Sequence, residues 1–173
     1  MAFTFRPATA ADADRLADFA GRTFREAFGA DNRPEDIDLH VAKSYGRDRQ
    51  LAEILDPAVL TLLAEADGRL AGFVQLRPDI APACVSGPGL VEVWRFYVDR
   101  PWQGRGLARQ LMGAAIAAAE ARGGRTLWLA VWERNWRALA FYRKCGFAPA
   151  GAQPFLLGTD LQSDLVMTRA IGG

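Results

Sequence analysis

Apolar and polar positions fall into blocks whose period changes along the chain. Phe3 to Arg6 alternates as a short edge strand does, and Pro7 to Thr9 breaks it. From Thr9 or Ala10 the period becomes helical. Leu16, Phe19, Ala20, Thr23, Phe24 and Phe28 recur at three- and four-residue steps and form one apolar stripe. Asp12 and Asp14 suit the first turn, and Gly29 ends the helix. Pro34 opens a second helix running to about Lys43, Tyr45-Gly46 turns, and Arg47 to Leu55 forms a third, stopped by Asp56-Pro57. Two strands follow, Val59 to Glu65 and Arg69 to Leu76, joined by Ala66-Asp67-Gly68. An Asp-Gly pair between apolar runs is a strong hairpin signal.

Arg77 to Gly89 carries three prolines and two glycines and reads as a loop. Leu90 to Val98, rich in valine and aromatic residues, reads as a buried strand. A helix then runs to about Arg122, capped by Gly123-Gly124. Thr126 to Val131 is a further strand, Asn135 to Cys145 a helix stopped by Gly146, and Phe147 to Phe155 and Asp160 to Arg169 the last strands. The order β-α-α-α-β-β-β-α-β-α-β-β contains strand–helix–strand units, which require parallel neighbours, and a hairpin, which requires antiparallel ones. The fold class expected is α/β of the α+β kind. It has a mixed, mostly antiparallel central sheet of about seven strands with helices on both faces. No linker or repeat divides the 173 residues, so a single domain, 1–173, is expected.

Composition narrows the function. The net charge of +1 supplies no field for nucleic acid or a membrane surface, and neither partner is expected. The first residues lack the apolar run of a signal peptide, and no stretch is long and apolar enough to span a bilayer. Two distant cysteines, Cys84 and Cys145, fit a reducing compartment and two buried thiols, so a cytoplasmic location is expected. With His40 the single histidine, no metal site is expected.

The stretch Leu90 to Leu111 carries the chemistry. Asp99, Arg100 and Pro101 end the strand, and Gln103-Gly104-Arg105-Gly106-Leu107-Ala108 opens a helix. Glycines at a helix start let the free N–H groups of the first turn approach an anion, which the helix dipole also favours, so the ligand implied carries phosphate. The dinucleotide fingerprint fails because Arg109 stands where a small residue is needed. The P-loop fails because no Gly-Lys-Ser/Thr triplet occurs. The Q-x-x-G-x-A pattern after Phe96-Tyr97-Val98 resembles the acyl-CoA pyrophosphate loop of the GNAT acetyltransferase superfamily. Asn135 to Phe147, read as N-x-x-A-x-x-F-Y-x-x-x-G-F, resembles that family's second motif. The tail Phe155 to Met167 and the segment Phe24 to Asp38 are loosely similar to its spermidine/spermine branch.

The resemblance implies the GNAT fold, with the two parallel strands splayed to admit acetyl-CoA as acyl donor. The backbone of Phe96, Tyr97 and Val98 would pair with the pantetheine arm as an added strand. Gln103, Gly104, Arg105, Gly106, Leu107 and Ala108 would hold the pyrophosphate, with Arg105 and Arg109 near phosphate charge. Asn135 is both a natural N-cap and the residue matching a pantetheine contact. Tyr142 matches the general acid that protonates the departing thiolate. Glu92, on the central strand, is a candidate base, with a salt bridge to Arg95 as its structural alternative. Phe24, Phe28, Glu92 and Trp132 are candidates for the acceptor side, where Asp31, Glu35, Asp36 and Asp38 would attract a cation. The activity implied is acetyl transfer from acetyl-CoA to a small-molecule primary amine by direct attack in a ternary complex, a polyamine being one candidate. A protein N-terminus, a drug or amino-acid amine, and a non-catalytic acyl-CoA sensor are the alternatives. A homodimer is among the assemblies the resemblance allows.

Overall fold

The computed structural model describes residues 2–78 and 80–172. Its elements are β1 (Thr4–Pro7), α1 (Ala13–Phe28), α2 (Pro34–Ser44), α3 (Arg47–Leu55), β2 (Leu60–Ala66), β3 (Arg69–Arg77), β4 (Leu90–Val98), α4 (Leu107–Ala121), β5 (Thr126–Trp132), α5 (Trp136–Lys144), β6 (Ala148–Leu157) and β7 (Asp160–Ala170). This is the expected order. The first helix differs at its start: Ala10–Asp12 is a 3-10 turn, and the α-helix begins at Ala13. The Asp12 carboxylate accepts from the Thr9 backbone N–H at 2.7 Å, which closes that turn.

The seven strands form one sheet in the order β1-β2-β3-β4-β5-β7-β6. Among the described residues only the β4–β5 pair is parallel. The β2–β3 turn is the expected two-residue Asp-Gly loop, with positive φ at both Asp67 and Gly68, so its twist matches the strands. Alternation along the strands divides the core. One face packs Val74, Val93, Leu127, Leu129 and Met167 against Leu107, Leu111 and Met112 of α4 and Leu139 and Tyr142 of α5. The other packs Leu63, Phe73 and Leu157 against Leu16, Phe19 and Phe24 of α1 and Ile37 of α2. On that second face Trp128 and Val166 lie under Val85 of the loop before β4.

Two features of β4 position the site. Its register with β5 holds for Leu90↔Thr126, Val91↔Leu127 and Glu92↔Trp128 and then ends, although both strands continue. Its register with β3 skips a residue, Leu76 facing Val93 and Gln75 facing Arg95, so Trp94 bulges. The Trp94 ring is clamped between two guanidinium groups, Arg77 at 3.7 Å and Arg95 at 3.9 Å from its centroid.

Those arginines correct the expected Glu92–Arg95 pair. Arg77 Nε donates to Glu92 at 2.6 Å, whereas Arg95 donates to Glu53 of α3, to Gln75 at 2.6 Å and to the Ser44 carbonyl at 3.2 Å. The bulge between positions 92 and 95 and the register with β3 select these partners. Cys84 is a second correction, since it is exposed rather than buried in its proline-rich loop.

Removing one member of a buried ion pair strands the other. Glu53→Ala is therefore expected to cost about 3 kcal/mol or more. Arg25→Ala, which breaks the exposed Arg25–Asp38 pair, should cost less than about 1 kcal/mol. Urea unfolding of both variants measures the difference.

Candidate active site

Beyond Glu92, β4 and β5 part, and the edge of β4 facing the gap is left without a strand partner. Both ends of this gap are furnished. On the α4 side, the Phe96 ring lies 5.4 Å from Phe141 and 6.3 Å from Tyr142. Tyr142 is 9% exposed and is also edge-on to Phe147 at 5.8 Å. Burial pushes its phenol well above the usual value, so it stays protonated.

The turn after β4 is built for something outside the chain. Gly104 and Gly106 have φ of 74° and 84°, a region that other residues enter at a cost of roughly 1–2 kcal/mol. Packing does not demand glycine here. A Cβ at Gly104 would meet nothing within 4 Å, and one at Gly106 only Gln110 Nε2 at 3.9 Å. Among the described residues, the N–H groups of Gly104, Gly106, Leu107, Ala108 and Arg109 find no backbone carbonyl. A positively polarised helix start with bare donors and open space fits a pyrophosphate. The Gln103 side chain instead ties the turn to the strand, its Nε2 donating to the Val98 carbonyl at 2.8 Å. Arg105 and Arg109 are exposed at the rim. Asn135 is the N-cap of α5, its Oδ1 accepting from the Ala138 N–H at 3.2 Å.

On the opposite face a wall of rings meets the gap. Phe24 lies 4.7 Å from Phe28 and 4.5 Å from His40, Phe28 is 6.2 Å from Trp132, and His40 is 5.6 Å from Phe155. Phe24, Phe28 and Trp132 are thus brought together. Phe24 is nearly sealed in the core, while Phe28 and Trp132 are partly exposed. Glu92 is 6% exposed, at the point where the strands part. Tyr142 lies on the other side of the sheet from these rings.

The acidic segment is largely committed to the fold. Asp36 is buried and accepts from Thr159 N–H at 2.6 Å, Thr159 Oγ1 at 2.8 Å and Arg33 Nε at 2.8 Å, binding α2 to the β6–β7 turn. Asp38 pairs with Arg25. Asp31 and Glu35 remain exposed.

Two groups escaped the sequence reading. His40, distant from the motifs in the chain, joins the ring wall, where burial first and then Arg95 and Lys43 lower its pKa to about 4. Asp164 is 7% exposed on β7, opposite Trp132. Burial, then Glu133, raises it to about 6. No local signal marks either residue: Phe24 and Phe155 beside His40, and Trp132 opposite Asp164, are distant in sequence.

The Acetyltransferase (GNAT) family model matches residues 16–147. The chain belongs to the GNAT acetyltransferase family. It is 34% identical over 149 residues to an uncharacterized N-acetyltransferase of Lactobacillus delbrueckii subsp. lactis, covering 86% of each. It is 32% identical over 147 residues to an aminoglycoside N(6′)-acetyltransferase type 1 of Stenotrophomonas maltophilia, covering 83% of this chain and 85% of that one. Its fold matches the crystal structure of the PaiA N-acetyltransferase of Thermoplasma acidophilum in complex with coenzyme A, with a TM-score of 0.82, 24% identity and coverage of 98% and 99%. The GNAT chain described here is accordingly an acyltransferase whose donor is acetyl-CoA. No helix among its described residues is long and apolar enough to cross a membrane, and no group of metal-ligating side chains is found among them.

His40 and Asp164 act on stability with opposite sign. His40 is held below its unfolded value of about 6.5, so its contribution is full above pH 6.5 and is lost as pH falls toward 4. Asp164 is held above its unfolded value of about 3.9, so its contribution is full below pH 4 and is lost as pH rises through 6. Between pH 4 and 6 the slopes oppose each other. Asp164→Asn should leave a curve rising with pH in that window, and His40→Gln one falling with pH. Urea midpoints at half-unit pH steps read both.

Proposed function

We propose that this GNAT enzyme transfers the acetyl group of acetyl-CoA to a primary amine carried on a small apolar arm, by direct attack in a ternary complex. The observation that carries the reading is the gap between β4 and β5. It joins a bare-donor helix start on one side of the sheet to a ring-lined wall with carboxyl groups on the other. Acetyl-CoA supplies an activated thioester carbonyl. The protein's task is to hold it, admit the amine and manage protons.

For the donor, the N–H groups of Gly104, Gly106, Leu107, Ala108 and Arg109 receive the pyrophosphate. The unpaired edge of β4 at Phe96, Tyr97 and Val98 receives the pantetheine amides in strand fashion, and Asn135 keeps its Nδ2 for the same arm. Tyr142 keeps its proton and can release it to the thiolate as the C–S bond breaks. Cys145 is ill suited to a covalent route, since burial pushes its thiol up and no histidine contacts it. An amine with a pKa near 10.4 is neutral at pH 7 only about once in 2,500 molecules, a cost of roughly 4.6 kcal/mol. Carboxyl groups on the acceptor side reduce that cost. Glu92, at the parting of the strands, is a candidate to orient the amine through water while sharing its charge with Arg77.

A polyamine satisfies this wall through its methylene arm, rings covering the carbons and carboxylates the distal charge. Since Asp36 and Asp38 are paired within the fold, the long-range attraction for the distal charge rests on Asp31 and Glu35. A second reading, an aminoglycoside amine, is supported by the Stenotrophomonas maltophilia relative and its 85% coverage.

Thiol release from acetyl-CoA, measured with spermidine, n-hexylamine, an aminoglycoside and a peptide N-terminus, tests the reading. Turnover with a small amine is the expected result, spermidine being favoured at low salt if the acidic rim steers it. Tight CoA binding with no thiol release from any amine would identify a sensor module instead. Tyr142→Phe should lower turnover ~10²–10⁴-fold, with the CoA dissociation constant nearly unchanged. Turnover within twofold of wild type across the pH range would make Tyr142 a packing residue.

A further inference from the structure

Five carboxylates are buried among the described residues: Asp12, Asp36, Glu53, Glu92 and Asp164. Four are paired with arginine: Asp12 with Arg6 and Arg15, Asp36 with Arg33, Glu53 with Arg49 and Arg95, and Glu92 with Arg77. Asp164 has no ion pair and no side-chain hydrogen bond to any described residue. Its place in the sheet is well defined. Leu165 and Met167 of β7 face the α4 side, so Asp164 and Val166 face the other, as does Gln162, which donates to Asn32 at 2.6 Å. Across the ladders Asp164 faces Trp132 on β5 and Gln153 on β6. The Trp132 ring meets Phe28, so Asp164 lies at the foot of the acceptor wall. Its ladder partners Trp132 and Gln153 and its strand neighbours Gln162 and Ser163 border an open depression of about 650 Å³ together with Glu133 and Arg134, although Asp164 is not itself in the lining.

We propose that Asp164 is the carboxylate that receives the acceptor's ammonium group and takes its proton before attack. This rests on the reading of the chain as an amine acetyltransferase. A carboxylate removed from water with no cation beside it is costly, and such groups concentrate at sites where a ligand provides the missing charge. The charged groups at this end of the sheet come from the connection after β5: Glu133, whose like charge deepens the attraction for a cation, and Arg134, whose guanidinium lies 5.3 Å from the Trp132 ring centroid. From β5 and β6 Asp164 is faced by the neutral Trp132 and Gln153, and on its own strand it is flanked by Gln162 and Val166. Burial makes Asp164 a better proton acceptor than an ordinary aspartate.

The protons balance. The ammonium gives one proton to the Asp164 carboxylate, which passes it to solvent. The nitrogen lone pair then forms the C–N bond to the thioester carbon, and the C–S bond breaks with its electron pair on sulfur. Tyr142 protonates the thiolate and is restored by the second proton leaving nitrogen. The products are the amide, CoA thiol and one released proton.

Binding tests this without turnover. Calorimetry is performed on CoA-saturated protein with spermidine and n-hexylamine, with n-hexanol as the neutral control. Asp164→Asn should weaken both amines at least ~10-fold at pH 7.5, leave CoA affinity within twofold and fold at least as stably as wild type. In wild type, amine affinity should fall between pH 6.5 and 5 as the carboxyl takes up a proton. Glu133→Gln should move that fall to lower pH, a displacement that a purely structural Asp164 would not give. Equal amine affinity in wild type and Asp164→Asn, with amine acetylation intact, overturns the assignment alone. No amine binding and no amine acetylation by wild type overturns the acceptor reading with it. If Asp164→Asn fails to fold, the wild-type pH dependence and its displacement in Glu133→Gln decide the question, and a flat profile in both overturns the assignment.

Discussion

The molecule depends on one interruption in its hydrogen bonding. Parallel β4 and β5 share a register for three residue pairs and then separate, so two strands in the middle of a sheet expose backbone edges to each other. Such edges are costly unless something pairs with them. The bulge at Trp94 gives β4 the added twist that directs it away from β5. The bulged ring is fixed by Arg77 and Arg95, which are fixed in turn by Glu92 and by Glu53 on α3. The opening is therefore a built feature held by buried ions, and α3 is joined to it through Glu53.

The same logic governs the turn after β4. Left-handed Gly104 and Gly106 cost conformational entropy, and the helix start leaves N–H donors unmet. Neither arrangement helps the fold alone. In the proposed donor site both become favourable, a phosphate-bearing ligand supplying the acceptors and its pantetheine arm the missing strand. A sheet edge and a helix end, each unsatisfied, thus meet at one opening.

This division explains what the sequence made legible. Elements marked by local chemistry could be read closely: the Asp67-Gly68 turn, the limits of β4, the glycine-opened α4 and the Asn135 cap of α5. The ring wall was partly visible because Phe24 and Phe28 lie on one helical stripe, but their meeting with Trp132 and His40 required the tertiary fold. Ion partners were hidden for the same reason. Arg95 stands three residues from Glu92 in sequence, yet the bulge turns it toward α3. Asp164 carries no local signal of burial, because its ladder partners, Trp132 and Gln153, are set by the sheet order.

The face of the sheet that carries the ring wall also shows how costly groups can be tolerated without a visible acid–base penalty. A buried neutral histidine destabilises the fold as pH falls below its unfolded value, while a buried unpaired aspartate destabilises it as pH rises above its own. His40 and Asp164 lie on the same face of the sheet, and their windows overlap between pH 4 and 6. In that range each offsets the slope that the other produces. The paired carboxylates Asp12, Asp36, Glu65 and Asp99, all held low by arginine, act mainly at more acidic pH. Stability can then be nearly level across mildly acidic pH while two perturbed groups remain on that face. A weak pH dependence in the whole protein is consequently compatible with strongly perturbed groups inside it, and substituting them one at a time separates the two contributions.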